Sequence, residues 1–156
     1  MKLLDKSLCA YLADVRLGVI LLLALGVVRF LMLPVFGIPY SSGTTYTSAT
    51  ILVFVLAFLY FVGASQKPGT SYRDMLGMSI ALSLTVSIII VVAIAIDDFG
   101  GIDTYYTDPD HGGGLNPFLH MTGHLVGVIP QSLIFWGLGS VILKLFGRKR
   151  QALAAG

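Results

Sequence analysis

The chain has 156 residues, of which 56% are hydrophobic and 12% charged, with a net charge of +2 and a mean hydropathy of +0.87. Soluble domains carry about 25% charged residues, so this composition excludes an ordinary water-soluble fold, and the length leaves no room for a second globular unit. All eight acidic residues are Asp; without Glu, which normally decorates solvated helices, few helix faces are expected to meet water.

In chain order, Leu4, Leu8, Tyr11, Leu12 and Val15 recur at helical spacing, opposite Asp5, Lys6 and Asp14. The pattern predicts a helix, either a short amphipathic one lying in the membrane interface or the start of a long first span. Cys9 is the single cysteine, so an intramolecular disulfide is excluded and the residue reads as a small apolar helix position.

Four apolar stretches follow, at about Leu17 to Ile38, Thr45 to Ala64, Leu76 to Ile96 and Leu125 to Phe146. Each has roughly the 20 residues that cross a hydrocarbon core of about 30 Å, and only a helix satisfies its backbone groups there. The first is read as a retained span. Asp5 and Asp14 precede it, and Val27-Val28-Arg29 stands where a leader would carry a small-residue cleavage site. The expected fold is therefore all-α: a bundle of four transmembrane helices in one domain over residues 1–156.

Arg29 falls past the middle of the first span, where a charge costs about 2.5–3.5 kcal/mol on insertion scales. An ion pair with Asp97 or Asp98, at the end of the third span, would offset that cost. Snorkelling aided by a bend at Pro34, or a site for an anion or lipid headgroup, are the alternatives. On the third stretch Ser79, Ser83 and Ser87 form a line at i, i+4, i+8, beside Gly77, Ala81 and Thr85. They read as a close-packing seam, or else as a polar path through the bundle. Gly123 and Gly127 repeat the small-residue spacing at the fourth stretch.

The connection 97–124 holds five of the eight acids, the glycine run 112–114 and all three histidines, His111, His120 and His124. His120 and His124 stack on one helix face, the spacing of a two-histidine metal motif, although Met121 stands where a metalloprotease carries its Glu. With His111 and Asp108 or Asp110 they compose a candidate divalent-metal set. Asp108-x-Asp110-x-Gly112 resembles half a calcium loop but lacks the terminal Glu. His111-Gly112-Gly113-Gly114 matches an esterase oxyanion loop without its Gly-x-Ser-x-Gly partner. His120, His124, Gly127 and Gln131 share a face above Pro130, a stripe suited to lining a shallow outward cavity.

Charge sets the expected orientation. Lys2, Lys6, Arg16, Lys67, Arg73, Lys144, Arg148, Lys149 and Arg150 fall on one side, nine of the ten basic residues, with Arg29 the exception. Both termini are thus expected in the cytoplasm, with the acidic 97–124 connection outside, as in a multi-pass protein of a bacterial inner membrane. Spans two to four carry no mid-membrane carboxylate of the kind that couples proton transport. Nucleotide-binding glycine motifs are absent, and the short basic tail suits anionic lipid rather than nucleic acid. The expected role is a non-catalytic accessory, assembly or interaction subunit, with other membrane subunits or itself as partner. A metal-binding membrane protein or enzyme, and a small oligomeric transporter or channel, are the competing readings.

Overall fold

The computed structural model describes residues 4–38, 48–102, 104–107 and 115–147, and the regular structure among these residues is helical, with no strand. Five α-helices are formed: α1 Leu8–Asp14, α2 Arg16–Leu31, α3 Ala49–Ser65, α4 Tyr72–Gly100 and α5 Pro117–Ile142. A 3-10 turn at Tyr105–Thr107 follows α4, and a π-helical turn at Leu143–Gly147 continues α5.

The N-terminal segment and the apolar stretch after it do not form one continuous helix, because the chain breaks at Val15. There the backbone leaves helical geometry (φ −103°, ψ 18°), and α1 meets α2 at 78°. Ser7 caps α1 by accepting from the Ala10 amide at 3.3 Å. The apolar face of α1 does not lie open. Tyr11 and Val15 are fully buried in the main core, with Leu4, Leu8 and Leu12 packed beside them. The amphipathic stripe thus docks α1 across the bundle's end.

α2 is shorter than the apolar stretch that encodes it. It stops at Leu31, three residues before Pro34, because proline lacks the amide a helix needs and crowds the preceding turn. The 17 residues of α3 give about 26 Å of helix, less than a full hydrocarbon core. By contrast α4 overruns its expected limits in both directions. At its start a capping box joins Ser71 and Asp74. At its end Gly101 takes the left-handed conformation, φ 63°, that only glycine adopts at no cost. Asp97 and Asp98, expected in a connecting loop, therefore sit in the last helical turn. α5 likewise begins at Pro117 rather than Leu125, with Asn116 accepting from the Phe118 amide at 3.0 Å. His120, Gly123 and His124 are helical residues, and the connection expected over 97–124 contracts to 101–116.

α4 and α5 form the principal seam, with α2 and α3 against them. Phe61, Met75, Leu82 and Phe135 are fully buried in the core, and Phe54 meets Phe135 edge to face at 4.8 Å. Glycine allows the closest approaches: a Cβ at Gly139 would lie 3.2 Å from both Met75 and Phe61, and one at Gly26 only 2.5 Å from Ile89. Large apolar side chains cover the outside, Ile20, Leu119 and Ile129 among them, a surface that water would drive together. Two helices, α4 and α5 with its π-turn, are long and apolar enough to cross a membrane, and the bent α1–α2 pair would make a third.

Candidate functional site

Chemistry-bearing side chains gather at both ends of the bundle. At one end, Arg29 is 6% exposed and its guanidinium lies over the Tyr105 ring at 3.8 Å, with the Tyr106 ring at 5.9 Å. A cation over an aromatic face recovers about 0.5–2 kcal/mol of attraction, more where water is excluded. The ion pairs found within 4 Å among the described residues lie at the opposite end, so the partner expected for Arg29 is replaced there by an aromatic one. Asp98 is exposed, whereas Asp97 is buried and accepts a short hydrogen bond from the Thr104 hydroxyl. Thr104 accepts in turn from the Tyr106 amide at 3.3 Å. A buried carboxylate in the last turn of a helix sits against the negative end of its dipole. Burial pushes the Tyr106 phenol above its ordinary range, although Arg29 pulls the other way.

His120 and His124 fulfil the i, i+4 expectation, their rings 5.1 Å apart and both half-buried. Their proposed co-ligands His111, Asp108 and Asp110 lie outside the described residues. Among the described residues no group of three His, Cys, Asp or Glu side chains is placed to hold a metal ion. On the same stretch of α5, nothing lies within 4 Å of where a Cβ would stand at Gly123 or Gly127. Ser79, Ser83 and Ser87 are buried on α4, and the Ser79 hydroxyl donates to the Met75 carbonyl at 2.7 Å. That back-bond closes within the helix, as does Thr85 to Ala81 at 2.7 Å.

The other end carries a polar network that the linear sequence did not point to. Lys6 bridges Asp14 at 2.9 Å and Asp74 at 3.9 Å. The Tyr11 hydroxyl donates to Asp74 at 3.2 Å, and the Ser71 hydroxyl donates to Asp5 at 2.6 Å. Arg73 lies 3.3 Å from Asp5. The Ser71 hydrogen bond, followed by Arg73, holds the Asp5 carboxyl below its usual range, while the Asp14 contact raises Lys6. The Tyr60 hydroxyl accepts from the Gly18 amide at 2.8 Å, fixing α3 to the start of α2. Between α1, α3 and α4 this network borders a cavity of about 370 Å³, with Lys67 and Thr70 on its loop wall. The contacts of Asp5 with Ser71 and Arg73 join residues more than sixty positions apart.

Comparison of the chain with protein-family models, curated proteins and solved structures finds no match.

Proposed function

We propose that this chain is a four-span helical protein of a bacterial inner membrane, with both termini cytoplasmic, serving as a non-catalytic subunit of a larger membrane complex. The observation that carries the subunit role is the state of α5. His120, His124 and Gln131 are only half-buried, while Gly123 and Gly127 face open space. Polar side chains on a membrane helix favour a partner helix over lipid, and glycines let that partner approach closely. α3 is the short helix, which fits an outer half of α5 left bare for another protein.

The topology draws support from charge. Lys6, Lys67 and Arg73 meet around one end, and Lys144 belongs to the π-turn that packs on the end of α3. Arg29 stands apart from these four, in keeping with a positive-inside orientation.

Purification in mild detergent, with cross-linking from α5, tests the role. A second membrane subunit should accompany the wild type and be lost from Gly127→Leu, which leaves this chain folded. Recovery of the protein alone, or only with itself, refutes it. The histidine pair favours one competing reading, a divalent-metal site at the same face. Elemental analysis of the wild type against His120→Ala/His124→Ala decides that reading, and a metal-free wild type eliminates it.

A further inference from the structure

We propose that the cavity between α1, α3 and α4 binds an aminoalkyl phosphate group, either the head of an ethanolamine phospholipid or the same group free in solution. The lipid form rests on the membrane reading above. The cavity of about 370 Å³ is within the size range of small-ligand sites. Its charge is divided. On the wall made by α1 and the start of α4, Lys6 lies between two carboxylates, 2.9 Å from Asp14 and 3.9 Å from Asp74, leaving one net negative charge. On the wall made by the connection from α3 to α4 stands Lys67. A purely anionic ligand meets the carboxylates and a purely cationic one meets Lys67. A group carrying an ammonium and a phosphate satisfies both, the ammonium donating to Asp14 and Asp74 and the phosphate accepting from Lys67.

The remaining walls are those of an amphiphile's site. Leu59 and Met78 line the cavity below the charged rim, and Leu59 is 59% exposed, so the apolar part opens sideways to the bundle's exterior. Gly63 contributes space: nothing lies within 4 Å of where its Cβ would be. The loop wall is preformed. The Thr70 hydroxyl donates to the Ala64 carbonyl at 2.8 Å, the Lys67 amide donates to the same carbonyl at 2.9 Å, and Gly69 takes φ +78° to close the turn. Preformed walls lower the ordering cost of binding.

The test uses the full chain, delipidated in detergent, with thermal unfolding followed by Trp136 fluorescence. It is titrated with phosphatidylethanolamine, phosphatidylglycerol and phosphatidylcholine of identical acyl chains, and with soluble phosphoethanolamine. Phosphatidylethanolamine should raise the unfolding midpoint most, since choline has no N–H to donate and glycerol no cation. Gly63→Leu adds bulk to the cavity from a position whose Cβ has open space, so it should fold and lose the phosphatidylethanolamine increment. Lys67→Ala should raise the half-saturating concentration roughly tenfold, the effect of one charge-assisted contact. Equal shifts from the three lipids, or an undiminished shift in Gly63→Leu, would overturn the proposal. Half-saturation by phosphoethanolamine at the lipid's concentration supports the headgroup chemistry and overturns the lipid as its source. The membrane reading fails separately, if alkaline carbonate releases the chain from membranes.

Discussion

Gly77→Ala should undock α1 while leaving the bundle nearly as stable as before. A Cβ at position 77 would overlap the Tyr11 ring, and Tyr11 is fully buried against α4. Expelling a side chain of that size forfeits about 1.5–3 kcal/mol of apolar burial. The hydrogen bond from its hydroxyl to Asp74 adds about 1.5 kcal/mol. Alanine in a helix interior returns about 0.5–1 kcal/mol relative to glycine, but that gain belongs to α4 whether α1 is docked or not. The docked-to-undocked ratio should therefore fall at least a hundredfold, on the order of 3–4.5 kcal/mol, while the midpoint for the whole bundle moves little. Cys9 is the protein's own probe, exposed on α1 and the only cysteine. A spin label there should be ordered in the wild type and mobile in Gly77→Ala. The reasoning requires that the two positions be coupled. In a Tyr11→Ala background the Gly77→Ala change should be neutral or stabilising. An ordered label in the single variant would refute the clash, and equal destabilisation in both backgrounds would show that Gly77 acts through something other than Tyr11.

Other outcomes follow from the same contacts. Tyr105→Leu removes the aromatic face under Arg29 and should cost about 1 kcal/mol in detergent unfolding, an effect reduced in an Arg29→Leu background. Gly26→Val should cost about 1–3 kcal/mol by overpacking Ile89, whereas Gly127→Ala, with open space at its Cβ, should leave the fold's stability unchanged or raised; both are read from the same unfolding curves. Acid should loosen α1 through Asp5. Its folded-state carboxyl titrates below the ordinary 3.8, so its contribution is complete above that pH and disappears as the pH falls through the lower folded value. The Cys9 label should accordingly gain mobility only on that acid limb, and earlier in the titration for Ser71→Ala, which returns Asp5 toward its ordinary range.

The helical class and the apolar stretches that became α4 and α5 were legible because a helix that crosses hydrocarbon must be long and almost uniformly apolar. Their limits were not. Hydropathy falls at Asp97 and again before Leu125, yet the backbone stays helical to Gly100 and from Pro117. Hydropathy reports where water begins, whereas the Gly101 and Asn116 caps report where the helix ends. Arg29 was recognisable as anomalous, but charge alone pointed to Asp97 or Asp98; the ring that meets it arrives through the fold-back of residues after Gly101. The break at Val15 has neither proline nor glycine to announce it. Without the break, α1 would continue α2 away from Asp74, and the cavity beside Lys6 would not exist. Features built from long-range pairs, such as Asp5 with Arg73, leave no local periodicity to read.

The aromatic partner of Arg29 also bears on how the chain is made. Tyr105 follows Arg29 by 76 positions, and α3 and α4 lie between them. At about 5–20 residues per second, synthesis reaches Tyr105 on the order of 4–15 s after Arg29. In the four-span reading, α2 must hold its cation through that interval with neither α4 nor the Tyr105–Thr107 turn beside it. On that reading, the burial of the Arg29 cation waits until the far end of α4 and the turn after it have been made.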